Sequence, residues 1–292
     1  MVGREATTGP APERPSMSTQ VMLLVLFGAF LHASWNAIVK SGDHKLRDAG
    51  LIAGGGALAA VVFLPFAPLP DAACVPWLLG SVVIHQVYYG LVAAAYRAGD
   101  LGHTYPLMRG TAPLLVAIAS GPLIGETLSL TAWIGIALIC GGILLLALHR
   151  HAAPRATLVA LANATIIALY TLVDGTGARA SGAPISYTLW LMVLSATPLL
   201  AWLFWQDAGA MRRQIAQRGL IGLIGGACSA LSYGLALWAM TVAPLAAVAA
   251  LRETSVLFAV AISTFILREG GGAGRFLAAA LVVGGAVALR LI

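Results

Sequence analysis

Charge is what this chain of 292 residues has least of. Asp, Glu, Lys and Arg make up 10% of it, while 60% is hydrophobic and the mean hydropathy is +0.90. A soluble domain carries about 25% charged residues, so a surface facing water on every side is excluded. Cysteine is scarce too. Cys74, Cys140 and Cys228 lie apart, in or near apolar stretches and without a CxxC pair, which excludes a disulfide framework and a thiolate metal centre. Signatures of intramembrane catalysis are missing as well: no HExxH, no GxSG serine with a histidine, no pair of mid-span aspartates. Asp174 is the one aspartate inside or touching an apolar core. No enzyme activity, metal or cofactor is expected. The formal charge of +6 does not point to nucleic acid, because the basic residues sit in short loops between apolar runs.

What is present is a succession of apolar runs of about 20 residues, the length that crosses a hydrocarbon core of about 30 Å. Ten spans are expected, over 20–40, 49–67, 75–97, 104–122, 130–148, 156–174, 184–205, 219–240, 245–267 and 275–292. The connections are short and carry turn residues, as in "APLPDAAC" and "AGDLGHTYP"; the longest, "QDAGAMRRQIAQR", suggests a short surface helix. Residues 1–19 are rich in Pro, Thr and Ser and read as a disordered tail without the form of a signal peptide. Met17 is an alternative start. With no non-span piece of 20 residues or more, a non-transporting sensor or assembly subunit is the weaker reading. Gly50/Gly54, Gly121/Gly125 and Gly222/Gly226 have the small-xxx-small spacing that lets membrane helices approach closely.

The chain repeats itself. An offset of 143 carries Arg109 onto Arg252, Glu126 onto Glu269, and Gly141-Gly142 onto Gly284-Gly285. An offset of 144 carries Tyr89-Gly90-Leu91 onto Tyr233-Gly234-Leu235. The expectation is therefore an all-α integral membrane protein. Its ten transmembrane helices would form two inverted five-helix repeats, 20–148 and 156–292, around a central cavity. An odd number of spans per copy turns the second copy upside down, a recurring plan of secondary transporters. Lys and Arg divide eleven against four between the two sets of loops and termini. The richer set, with Lys45, Arg97 and Arg212, belongs in the cytoplasm and both termini outside.

Polar side chains at membrane depth are costly, about 2.5–3.5 kcal/mol for a charge at mid-helix, and usually face an interior cavity. Arg252 and Glu253 lie inside span nine; Arg109 lies nearer the end of span four, where snorkelling to the headgroups competes with a site role. Glu126 and Glu269 fall at loop junctions suited to capping the next helix. His32, Trp35 and Asn36 share one face of span one, and His85, Tyr88 and Tyr89 one face of span three. In the second copy the latter become Ser229, Ser232 and Tyr233. Asn163, Tyr170 and Asp174 share a face of span six, and Tyr187, Trp190 and Trp238 add aromatics. Trp77, Trp202 and Trp205 read as interfacial belt residues. A guanidinium binds a carboxylate or phosphonate bidentately, aromatic faces suit a ring or a quaternary amine, and imidazole exchanges protons near neutral pH. The set suits a small amphipathic zwitterion or anion. Its members are His32, Trp35, Asn36, His85, Tyr88, Tyr89, Arg109, Asn163, Tyr170, Tyr233, Trp238, Arg252 and Glu253. Arg252 would hold the negative group, and proton coupling would run through His32, His85 or Glu253. Oligomeric state is not legible.

Ten spans in two copies, with "HASWNAIVK" closing span one and R-x16-E twice, resemble the EamA-type branch of the drug/metabolite transporter superfamily over residues 20–292. The Trp-Asn-x-x-x-Lys pattern there matches Trp35, Asn36 and Lys40. The resemblance implies a central cavity between two halves in a multi-pass bacterial inner-membrane protein. It further implies export of amino acids or related metabolites, with uptake of an organophosphonate or a quaternary amine as the alternative. Glu253 departs from the repeat, since the first copy has Gly110 at that place.

Overall fold

The computed structural model describes residues 17–40, 44–98, 101–148, 153–261 and 273–292. Among them all regular structure is helical. The helices are α1 (Thr19–Lys40), α2 (Lys45–Phe63), α3 (Val75–Ala98), α4 (Leu101–Ile124), α5 (Leu130–Leu148), α6 (Pro154–Ala180), α7 (Pro184–Val242), α8 (Leu245–Arg252), α9 (Ser255–Ala261) and α10 (Ala273–Arg290). Seven of these, α1 to α7, are long and apolar enough to cross a membrane. Large apolar side chains such as Phe27, Leu58, Val83, Leu123 and Val287 stay on the outside. Such a surface suits lipid, since a soluble monomer seldom exposes apolar patches beyond a few hundred Å². Trp77, Trp202 and Trp205 are exposed with them. Cys74 and Cys140 are buried and all three cysteines are free.

Three expected spans differ in form. Spans seven and eight run together as α7, interrupted only at Asp207, whose backbone is extended (φ −159°, ψ 85°). The Asp207 carboxylate accepts from the Ala210 N–H at 2.8 Å, an N-cap that starts a second helical arm. The short surface helix expected in "QDAGAMRRQIAQR" is the first turns of that arm, which runs on into span eight. Span nine is broken. Its hydrogen bonds tighten to the i→i−3 pattern as Glu253 N–H donates to Ala250, Thr254 to Leu251, Val256 to Glu253 and Leu257 to Thr254. The Thr254 hydroxyl also bonds to the Leu251 carbonyl, offering that carbonyl a partner other than the next helical turn. Short 3₁₀ stretches inside a helix frequently mark functional hinges. Of the tail, residues 1–16 lie outside the described residues, while Met17 is buried in the core. Arg268 and Glu269 also lie outside them.

Glycine sets the closest helix approach, between α2 and the second arm of α7. A Cβ on Gly226 would collide with the backbone of Gly55 and Gly56, and one on Gly222 would sit 2.8 Å from Leu51 Cβ. Gly142 and Gly285 similarly face the α5–α10 contact, where a Cβ on Gly285 would lie 2.6 Å from the Gly135 oxygen. Gly121/Gly125 turns out to be a helix stop. Gly125 has φ +71° and its N–H bonds to the Gly121 carbonyl, the αL motif that closes a helix with a left-handed glycine; the Glu126 N–H bonds to the Ser120 carbonyl. Gly226→Leu should therefore lower stability by about 1–3 kcal/mol or more through overpacking, read as a lower unfolding midpoint in detergent. Gly80→Ala, where a Cβ meets nothing within 4 Å, should leave it unchanged or raise it.

Candidate substrate cavity

The apolar helices enclose a cavity of about 420 Å³, toward the lower end of the roughly 300–1,000 Å³ typical of small-molecule sites. Its wall is assembled from the expected faces. α1 supplies His32, Trp35 and Asn36; α3 His85, Tyr88 and Tyr89; α4 Arg109; α6 Asn163 and Tyr170; α7 Tyr233; α8 Arg252. Ser229 and Ser232 line it too. Trp238 does not: it is half-buried and packs on the hydrophobic core. Glu253 is set behind the wall, in a crevice beside Arg109 and Arg252. Tyr105, Met108, Met192 and Ser195 are lining residues that polarity alone did not single out. Tyr105 stands four residues before Arg109 in a helix that runs through Pro106, Pro113 and Pro122, so i, i+4 spacing from the arginine was the signal available. Lys45 and Arg97, at helix ends, line the same cavity. The Lys40 side chain lies outside the described residues.

The two arginines are in different electrical states. Arg109 is buried and its Nε lies 2.8 Å from Glu253 Oε2, with a second guanidinium nitrogen 3.1 Å from His32 Nε2. It does not snorkel. Glu253, placed at the tightened turn of span nine, neutralises it. Arg252 lies with its guanidinium carbon 5.0 Å from the centroid of the Tyr233 ring, and among the described residues it forms no salt bridge. A cation held on an aromatic face retains hydrogen-bond donors for a ligand. His32 stands edge-on to Trp35 with centroids 5.0 Å apart. His85 stacks on Tyr170 at 4.6 Å, and Tyr88 lies 5.5 Å from both Tyr89 and Tyr170. Apart from the ion-paired Arg109 Nε, three buried polar atoms of the residues in this wall have no hydrogen-bond partner: the Trp35 Nε1 donor, the Asn163 Oδ1 acceptor and the Ser195 Oγ. Buried polar atoms are rarely left so.

At the helix ends opposite Lys45 and Arg97, polar contacts join elements distant in the chain. Glu126 accepts from the backbone N–H groups of Leu245 (2.8 Å) and Ala246 (3.2 Å), capping α8 rather than the helix next in the chain. Arg179 bonds Glu126 at 3.0 Å and reaches the carbonyls of Met240 and Ala243 at the end of α7. A carboxylate on a helix start and a guanidinium on a helix end both complement the backbone dipole.

A bundle of apolar helices around a cavity lined by aromatic rings and a few charged side chains suits a membrane carrier. The sequence pattern of the EamA-like transporter family matches residues 19–148 and 154–291, and the chain belongs to that family: it is a multi-pass membrane transporter. It is 35% identical over 83 residues to the uncharacterised protein y4nH of Sinorhizobium fredii, a match covering 28% of this chain and 71% of that one. A crystal structure of another protein superposes with a TM-score of 0.68 at 19% identity, covering 94% of this chain and 96% of that one; it shows the shared fold. For the ion pair, removing one partner of a buried couple costs about 3–5 kcal/mol. Glu253→Ala should therefore destabilise the protein by that order, and Arg109→Met with Glu253→Leu should recover much of it, measured by thermal unfolding of both variants.

Proposed function

We propose that the chain is a secondary carrier of small amphipathic metabolites, most fittingly amino acids or related zwitterions, working as an exporter by alternating access. The observation that carries this reading is the asymmetry of the arginines. With Arg109 neutralised by Glu253, Arg252 is the cation left for a substrate carboxylate. The Trp35 N–H is a second donor for that carboxylate, and the unpaired Asn163 oxygen is an acceptor for the ammonium group. The tyrosine and histidine rings hold the body. A wall of this kind recognises both charges of a zwitterion and tolerates variation in what joins them.

The two moving units are the five-helix halves, 20–148 and 156–292, related as inverted repeats. The cavity end carrying Lys45 and Arg97 belongs to the lysine- and arginine-rich set of loops, so by the positive-inside rule it faces the cytoplasm of a bacterial inner membrane. The described state is then the loading state of an exporter. Opening the other side requires the Glu126–Arg179 latch to part from the junction of α7 and α8, with the tightened turn at Glu253 as the hinge in span nine. Rocking of repeats about a site near the midplane is the general form of such a cycle.

The aromatic cluster of Tyr88, Tyr89 and Tyr170 supports a second reading, uptake of a quaternary amine held by ring faces. One panel separates the two. Purified protein is heated with aromatic and aliphatic amino acids, aminoethylphosphonate and choline, and the series is repeated on Arg252→Met. The account expects stabilisation by amino acids that falls at least tenfold in apparent affinity in the variant, about 1.4 kcal/mol or more. Stabilisation by choline alone, unchanged in Arg252→Met, selects the second reading.

A further inference from the structure

Asp174 is a buried acid that the substrate site does not use. It is fully buried on α6, in the half of that helix nearer Arg179, and among the described residues no lysine or arginine pairs with it. Its two oxygens accept from different tyrosines: Oδ1 from the Tyr187 hydroxyl at 3.1 Å, Oδ2 from the Tyr233 hydroxyl by a short bond. From α3, Ser81 and His85 face it, and His85 Nδ1 lies 3.1 Å from Ser81 Oγ. From α7 come the two tyrosines, with Cys74 near Tyr187; Tyr170 stands one turn away on α6 itself. An isolated carboxylate in a membrane interior is costly as an anion, and such groups mark proton relays in pumps and transporters.

Position makes this acid more than a strut. Tyr233 joins it to the cavity: the phenol oxygen bonds Asp174 while the ring carries the Arg252 guanidinium at 5.0 Å. His85 lines the cavity and reaches Ser81 on the side toward Asp174. The other groups suggested for proton exchange are occupied: Glu253 and His32 both bond to Arg109.

We propose that Asp174 is the carrier's proton-binding site, loaded from the cavity through His85 and Ser81 and linked to the substrate site through Tyr233. The inference rests on the carrier reading above. On loading, one proton from cavity water reaches the carboxylate, His85 and Ser81 each receiving one and passing one on. On unloading the same steps run in reverse and return it to cavity water after the cavity has opened to the other side, so one proton moves per cycle and no heavy-atom bond changes. Ionised Asp174 holds Tyr233, and with it the platform of Arg252, by a charge-assisted hydrogen bond; the protonated acid holds it by a weaker neutral one. A substrate carboxylate drawing Arg252 off that ring therefore feels the state of Asp174.

Two measurements on the full chain in liposomes test this. The first needs no substrate: infrared spectra across a pH titration should show a carboxylic-acid carbonyl band in wild type that Asp174→Asn lacks. In Tyr233→Phe the band should persist with a displaced midpoint, which reports that the acid and its tyrosine are linked even if Asp174→Asn folds poorly. The second uses radiolabelled amino acids from the panel above. Asp174→Asn should keep exchange of labelled for unlabelled amino acid and lose at least tenfold in net flux driven by a pH gradient. Exchange and pH-driven flux both at wild-type rates, or titrating bands identical in wild type and Asp174→Asn, overturn the proposal. If wild type exchanges no amino acid, the substrate reading fails, and the infrared titration still decides the role of Asp174.

Discussion

The Arg109–Glu253 ion pair is the interaction on which the rest of the site depends. It joins α4 to the turn between α8 and α9, with both side chains buried. A buried pair of this kind contributes little net stability, because desolvation offsets most of the attraction. What it gives is arrangement. It lies where span nine is interrupted and occupies one of the two arginines that the sequence repeat aligns, which leaves the neighbouring Arg252 for the substrate role proposed above. The chain breaks its own repeat to do this, with Glu253 standing where the first copy has Gly110. The glycine is needed at its own place, since a Cβ there would lie 2.8 Å from Leu144 Cγ.

Much of this was legible in the sequence. Hydropathy gave the membrane class and helix positions because lipid forces every backbone polar group into internal hydrogen bonds. The faces of spans one, three and six were found from spacing alone, since three or four residues along a helix is one face, and their polar members all line or back the cavity. What escaped was whatever depends on distant partners. Nothing local to Glu126 says that it caps a helix 119 residues away. Nothing local to Trp238 says that its ring turns to the core. The tightened turn after Arg252 follows from the run Arg252-Glu253-Thr254-Ser255 only once Glu253 is seen held by Arg109 and the Thr254 hydroxyl by the Leu251 carbonyl. A short surface helix after Trp205 was expected; that it runs on without a break into span eight was not, because hydropathy marks only the part inside the hydrocarbon.

The two sets of helix ends are built differently, which suits the alternating access proposed for the carrier. The ends away from Lys45 and Arg97 are joined by polar contacts, a partly exposed Arg179–Glu126 pair and helix-end carbonyls. Such contacts part and re-form without exposing apolar surface to water. The α2–α7 and α5–α10 contacts are glycine-packed and tolerate no insertion, so they suit surfaces that stay together or slide as units. Close-packed interfaces are bistable, not continuously deformable, and a polar latch set beside rigid glycine seams provides two discrete arrangements.

The central claim is that this cavity opens to one side of the membrane at a time and holds the substrate. Its most direct test is the accessibility of Ser229→Cys, a lining position on α7, in a background with Cys74, Cys140 and Cys228 replaced. A membrane-impermeant maleimide is applied separately to the two faces of oriented vesicles. The account predicts labelling from the face bearing Lys45 and Arg97, slowed by a bound amino acid, and labelling from the opposite face only under conditions that drive turnover. Equal labelling from both faces at rest, or labelling from neither, would contradict it.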